Sequence, residues 1–235
     1  VIPARGGSKG IPRKNLALCG GKPLLTRCIQ TCIQSRLSRG VWVSTEDEEI
    51  AAVARAVGAT VIPRPAELAT DEASTDDVLL HAIDFLPAGI TTLAAVQCTA
   101  PLMTVAELDA LIEWREKLSV DVVAAITKAK EWQVERVNGR LRGIGYQMNG
   151  EKSKRRQDLG HRYRLAGSVF AISLFSLLRR GYTFSDDVVG YEVTESVDID
   201  TPDDLLLADL ILRRREALSS QATKRASPPT MQYPL

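Results

Sequence analysis

Aromatic side chains are scarce, 5% of 235 residues, which argues against the stacking platforms that hold single-stranded nucleic acid. Net charge is also nearly absent, at +1. No global field therefore draws the chain to a nucleic acid polymer or a membrane surface, and any anion site must come from a local cluster. There are two histidines, His81 and His161, and four cysteines, Cys19, Cys28, Cys32 and Cys98. The cysteines form no CxxC pair and do not group with either histidine, so neither a zinc site nor a disulfide framework is indicated. A reducing, cytoplasmic setting is the simpler expectation. No Ser/His/Asp or Cys/His arrangement suggests a covalent nucleophile. No apolar run approaches the roughly 20 residues of a membrane span, and no signal peptide is read ahead of the first motif.

What is present is 45% hydrophobic and 25% charged, enough for one α/β domain with a full core. Strand-like runs at Val41–Ser44, Thr60–Pro63, Thr92–Gln97 and Asp121–Ile126 alternate with helical patterns at Asp47–Val57, Leu79–Phe85 and Val105–Lys117. This rhythm predicts a mostly parallel sheet with helices on both faces. Ligands then bind beyond the carboxyl ends of the strands. The opening Val1–Pro3 reads as the end of a strand, with earlier residues expected upstream. Residues 128–164 break the rhythm. Asn138-Gly139 is a two-residue hairpin signal, and a charged run, Glu151–Arg156, follows. That stretch is expected to be an inserted arm that covers the site or reaches a partner subunit. The sheet resumes at Ser168–Ile172, and a last helix is expected over Pro202–Glu216. One domain is thus drawn over residues 1–218, and residues 219–235 are expected to be a flexible tail.

Three segments can carry chemistry. In Arg5-Gly6-Gly7-Ser8-Lys9-Gly10-Ile11-Pro12-Arg13-Lys14-Asn15, glycines allow close backbone approach while Arg5, Lys9, Arg13 and Lys14 supply charge. A polyphosphate needs both, although an ordinary basic turn has the same composition. In Ser196-Val197-Asp198-Ile199-Asp200-Thr201-Pro202-Asp203-Asp204, an extended backbone sends Asp198 and Asp200 to one side and Ile199 to the other. Two facing carboxylates beside a triphosphate suit Mg²⁺. Helix capping around Thr201 and Pro202, with Asp203 and Asp204 in the first turn, is the structural alternative, and the two readings are compatible. The third segment is basic: Lys152, Lys154, Arg155, Arg156, Arg162 and Arg164. Such runs usually form solvated faces, but the strand that follows at once would turn some arginines into the cleft. Gln97 closes a strand and can read a base or sugar. Ala73-Ser74-Thr75 is either a helix start or a donor of backbone and hydroxyl groups. His81 fits a packed position.

The run IPARGGSKGIPRKN closely resembles the amino-terminal signature of the acylneuraminate cytidylyltransferases, also called CMP-sialic acid synthetases. The resemblance continues in order through VSTEDEEIA, RPAELATDEAST, VQCTAPL, RRQDLGHRYRLAGSVF and SVDIDTPDDL. It implies a Rossmann-like nucleotide-diphospho-sugar transferase fold with a small dimerisation arm. The implied reaction takes CTP and a nonulosonic acid to the CMP-sugar and pyrophosphate, with Mg²⁺ and as a homodimer. By motif, Arg5, Ser8 and Lys9 would hold the triphosphate and Lys14 the α-phosphate region. Asn15, Arg64, Ala73 and Thr75 would line the cytidine pocket, while Gln97, Arg164 and Phe170 would face the sugar. Arg156 would be the functional arginine of the arm and Asp198 and Asp200 the metal ligands; Asp200, or a water on the metal, is expected to assist deprotonation of the attacking hydroxyl. The sequence departs from the family at Met103, where a cation is usual, at Leu165-Ala166, where Pro-Asn is usual, and at Phe170, often tyrosine. Those departures leave sialic, legionaminic and pseudaminic acids open as acceptor. A CMP-Kdo-type enzyme and a silent nucleotide-binding subunit are the alternatives.

Overall fold

The computed structural model describes residues 1–129, 134–138, 140–143 and 162–226. Parallel strands β1 (Ile2–Pro3), β4 (Trp42–Thr45) and β5 (Thr60–Pro63) pair in the order β1-β4-β5. A small antiparallel pair, β2 (Leu18–Cys19) and β3 (Lys22–Pro23), precedes β4. Strands β6 (Thr92–Val96), β7 (Val122–Lys128), β10 (Tyr163–Ser173) and β11 (Val188–Glu192) pair in the order β11-β7-β10-β6. Val1 joins the two groups: its ammonium donates to the Ala94 carbonyl at 2.7 Å, and the Val96 amide donates to the Val1 carbonyl at 2.9 Å. That is a parallel ladder step, so the strands form one sheet in the order β5-β4-β1-β6-β10-β7-β11. Among them β10 alone runs against its neighbours. The expected mostly parallel sheet is therefore present, with an antiparallel strand inserted.

Alternation along the strands sends side chains to two apolar layers. Val96, Val123, Val169 and Ala171 pack with α1 (Leu24–Gln34), α2 (Glu48–Val57) and α4 (Val105–Leu118). Leu93, Ala95, Val122 and Ile172 pack with α3 (Thr75–Ile83) and α5 (Leu174–Arg180) on the other face. Cys28 and Cys32 are core thiols, and all four cysteines are free and buried. Helix ends carry the caps their sequences announce. The Asp47 carboxylate accepts from the Ile50 amide, and Ser74–Asp77 and Thr104–Glu107 form capping boxes.

Strand β8 (Val134–Val137) and β9 (Arg140–Gly143) form the expected hairpin, with Val137 opposite Arg140 and Asn138 at φ 49°. The basic run 151–156, with Arg156, lies outside the described residues. The final helix α6 (Pro202–Ala226) runs well past Glu216, so the part of the expected tail up to Ala226 is helical. Helix α5 and strand β11 were not expected from the sequence.

The topology already selects a place for a ligand. From β1 the chain moves outward through β4 to β5, then crosses to β6 on the other side of β1. The crevice beyond the carboxyl ends of β1 and β6 is thus a switch point, where ligands bind in sheets of this kind.

Candidate active site

A cavity of about 410 Å³ opens at that switch point. It is lined by Pro3 at the end of β1, Arg5 after it, and Gln97, Cys98 and Thr99 after β6. Its walls include Ser8, Lys9, Lys14, Asn15 and Arg64, the α3 start at Ala73, Ser74 and Thr75, and Asp200. A second cavity of about 430 Å³ lies at the opposite end of the sheet, between the first residues of β4 and β6, with Trp42, Thr92 and Leu93 among its walls. Arg39 and Glu116 are its charged members. The cations that a polyphosphate requires are gathered at the first cavity.

The loop after β1 is held from several sides. The Asn15 amide donates to the Arg5 carbonyl at 3.0 Å, and the Gly6 amide donates to the Glu46 carboxylate at 2.7 Å. Arg5 donates to the Thr70 carbonyl at 2.9 Å and pairs with Asp71 at 2.9 Å; Lys9 pairs with the same carboxylate at 2.6 Å. Lys9 and Arg5 hold the Asp71 carboxyl below the usual carboxylate range. Lys14 opens a short 3-10 turn, Lys14–Leu16. Its ammonium donates to the Ile199 carbonyl at 2.7 Å and reaches Asp200 at 3.1 Å. A Cβ added at Gly10 would stand 2.3 Å from the Asp200 carbonyl oxygen, so only glycine lets the two chains approach this closely. The glycine–lysine loop and Asp200, far apart in sequence, therefore meet at one wall of the cavity, whereas Asp198 is not among the residues that line it.

The aspartate segment is shaped as its alternation predicts. Ile199 is fully buried and its amide donates to the Thr99 carbonyl at 2.8 Å, while Asp198 and Asp200 are exposed on the other side. Thr201 and Asp204 cap α6 reciprocally: the Asp204 carboxylate accepts from the Thr201 amide at 2.8 Å and the Thr201 hydroxyl accepts from the Asp204 amide at 3.3 Å. Asp204 also accepts from the Asp200 amide at 3.2 Å, which fixes the backbone of the second aspartate. The Thr201 hydroxyl and backbone lower the Asp204 pKa. The capping role and an outward carboxylate pair thus coexist.

Arg64 is buried and donates to the Ser44 hydroxyl at 3.1 Å and the Ser44 carbonyl at 2.7 Å. Burial lowers its pKa, with Glu46 acting in the opposite direction. It is a cation anchored to β4 at the cavity wall. Arg13 is a correction. Expected to add charge to the phosphate loop, it sits at φ 55° and turns away to pair with Asp47 and Glu49. Hydrogen bonding to Arg13 lowers the Asp47 pKa. Asp47 caps α2 at the same time, so Arg13 fastens the loop to that helix.

The residues expected at the sugar end are more dispersed. Gln97 lines the cavity, and its amide donates to the Ser168 carbonyl at 2.9 Å. Arg164, on β10, is exposed and makes long contacts to the Ser196 carbonyl at 3.4 Å and the Leu165 carbonyl at 3.5 Å. Phe170 packs in the α3/α5 layer, edge-on to Phe184 at 5.3 Å between ring centroids, and does not line the cavity. Met103 and Ala166 belong to the core, so the departures there replace polar groups with packed ones. The register of β10 slips against β7 between Leu165 and Phe170. Within that slip Gly167 has φ +69°, and a Cβ there would stand 2.5 Å from the Asp198 carboxylate. His81 contacts the Phe85 ring and its buried Nδ1 has no partner among the described residues, which fits packing. Thr70, Asp71 and Thr99 were missed in sequence. An acid among small polar residues looks like any solvated turn.

A model of the family described as "Cytidylyltransferase" matches residues 1–221. An N-acylneuraminate cytidylyltransferase of Streptococcus agalactiae is 30% identical over 92% of this chain and 55% of its own length. One from Danio rerio, N-acylneuraminate cytidylyltransferase A, is 31% identical over 86% of this chain and 48% of its own. The chain thus spans about half the length of these curated relatives. A CMP-N,N'-diacetyllegionaminic acid synthase of Legionella pneumophila is 31% identical over 93% of this chain and 97% of its own. Among solved structures, a CMP:2-keto-3-deoxy-manno-octonic acid synthetase complexed with CTP superposes with a TM-score of 0.68 at 18% identity. It covers 91% of this chain and 97% of that one, and supports the fold. With the glycine–lysine loop and Asp200 together at the switch-point cavity, the chain belongs to the cytidylyltransferase family.

Proposed function

We propose that this chain transfers a cytidylyl group from CTP to a nonulosonic acid of the sialic type, releasing pyrophosphate. One observation carries the reading: Lys14 of the first loop lies 3.1 Å from Asp200 of the last one, at the wall of the same cavity that holds Arg5 and Lys9. Arg5, Ser8 and Lys9 face the β- and γ-phosphates, and Lys14 the α-phosphate. Asn15, Arg64, Ala73 and Thr75 surround the cytidine, with the α3 amino terminus presenting backbone donors. Gln97, together with Arg164, faces the acceptor sugar. The family resemblance adds a homodimer in which Arg156 reaches the partner's site. Sedimentation of the purified chain tests that assembly.

The donor set fits Mg²⁺. Asp198 and Asp200 are two hard oxygen ligands on one side of an extended segment, with Ile199 buried between them. Among the described residues no three or more metal-binding side chains are grouped. Mg²⁺ takes one or two carboxylates and completes its shell with phosphates and water. When bound, the ion would neutralise phosphate charge and orient the polyphosphate.

The reaction needs no protein nucleophile. The acceptor hydroxyl attacks the α-phosphorus in line, the bond to pyrophosphate breaks, and the leaving group carries away the developing charge. Lys14, held by the Ile199 carbonyl, supplies a fixed cation beside the reacting phosphate, and Arg5 and Lys9 receive charge on the departing pyrophosphate. Asp200 accepts the hydroxyl proton. A pyrophosphate-release assay with CTP, ATP, UTP and GTP against N-acetylneuraminic, legionaminic and Kdo acceptors tests the whole reading. Turnover with CTP and a nine-carbon acid is expected. Turnover without CTP preference, preference for Kdo, or CTP binding without turnover on any acceptor contradicts it.

A further inference from the structure

Asp71 is an anion in a cavity built to receive anions. The charged residues lining that cavity are Arg5, Lys9, Lys14, Arg64, Asp71 and Asp200. Asp200 has Lys14 as its partner and is one of the two carboxylates assigned to the metal. Asp71 instead comes from the turn before α3, and its two carboxylate oxygens each take one cation of the phosphate loop: Oδ1 takes Arg5 at 2.9 Å and Oδ2 takes Lys9 at 2.6 Å. Those are the two side chains that the proposed function assigns to the leaving pyrophosphate. A polyphosphate and the Asp71 carboxylate therefore compete for the same donors.

The local bonding is arranged for such an exchange. Arg5 keeps a bond to the Thr70 carbonyl at 2.9 Å that does not involve Asp71, so its guanidinium stays placed when the carboxylate leaves. The Gly6 amide is already satisfied by Glu46 and the Arg5 carbonyl by Asn15, which fix the backbone beneath. The side chains of Lys9 and Asp71 are 78% and 39% exposed. Exposed pairs of this kind shift an equilibrium by only about two- to five-fold each, weak enough for a multiply charged ligand to displace.

We propose that Asp71 is a positioning residue that stands in for a phosphate: it holds Arg5 and Lys9 at the cavity wall in the free chain and reclaims them as pyrophosphate departs. The inference rests on the assignment of that cavity to CTP. It predicts that Asp71→Asn, close in shape and lacking the charge, binds anions more tightly and releases product less readily.

The test is calorimetric titration of the full chain with inorganic tripolyphosphate and, separately, pyrophosphate, each with Mg²⁺, alongside steady-state kinetics with CTP. Asp71→Asn is expected to tighten both anions by about four- to twenty-five-fold, the product of two exposed pairs. KM for CTP should fall, inhibition by pyrophosphate should strengthen, and kcat should not rise. Asp71→Glu, which restores the charge, should return all of these toward the starting values. A purely structural role would raise KM instead. Weaker or unchanged anion binding in Asp71→Asn, with the unaltered chain binding normally, overturns this proposal and leaves the cytidylyltransferase reading intact. Failure of the unaltered chain to bind either anion or CTP overturns both.

Discussion

The two ends of the sheet hold cavities of nearly equal size, about 410 and 430 Å³, yet they differ in everything chemistry uses. Beyond the carboxyl ends of β1 and β6, two loops and a helix start bring Arg5, Lys9, Lys14 and Arg64 together. At the other end the walls are the first residues of β4 and β6, mostly apolar side chains and hydroxyls, with one cation, Arg39, and one anion, Glu116. Volume alone does not separate them. Strand direction does, because parallel strands place their outgoing loops at one end, and there the glycines and cations of the first loop meet Asp200.

The sharpest way to break this contrast is to remove the cation nearest the reacting phosphate. Lys14→Ala is expected to lower kcat/KM for CTP by about 10²–10³-fold, the cost of losing one aimed donor, with little change in thermal stability; stopped pyrophosphate release measures it. Gly10→Ala comes next. The new methyl would meet the Asp200 carbonyl at 2.3 Å, so the two loops must part. A loss of tens-fold in kcat/KM is expected, with Ala at Gly7, where nothing lies within 4 Å, as the milder control.

A smaller effect concerns stability at the far end. Asp121 is held down to about pKa 2 by hydrogen bonds first from Arg180 and then from the Ser176 hydroxyl. Its folded pKa lies below the ordinary 3.8, so its contribution is complete above pH 4 and is lost as pH falls from there through about 2. Melting curves across that window should drop less steeply for Asp121→Asn than for the parent chain. The smallest effect is expected from Arg39→Ala. Arg39 lines the opposite cavity, and kcat/KM should stay within about two-fold, as for surface changes remote from the site. A large loss would mean that the two ends are coupled.

Much of the site was legible because its chemistry coincides with its local pattern. Glycines and cations directly after a strand announce a phosphate loop, and aspartates two apart before Thr-Pro announce both a carboxylate pair and a helix cap. Arg13 misled because composition does not give direction: a left-handed backbone at φ 55° turns it toward Asp47 and Glu49. Asp71 was invisible because its meaning comes from cations more than sixty positions away. Strand β11 escaped because Gly190 looks like a breaker; in the sheet its missing side chain makes room for Ile126, whose Cδ1 would be 2.4 Å from a Cβ there. Phe170 reads as a site aromatic but packs against Phe184 beneath the sheet surface. Tertiary partners, not local propensity, decided each of these.

The central claim is that Lys14 and Asp200 serve one bound CTP. A double-mutant cycle on kcat/KM, using Lys14→Met, Asp200→Asn and the pair, tests it most directly. Groups that act on the same ligand should be coupled, so the double variant is expected to lose far less than the product of the two single losses. Losses that multiply, as for independent sites, would contradict it.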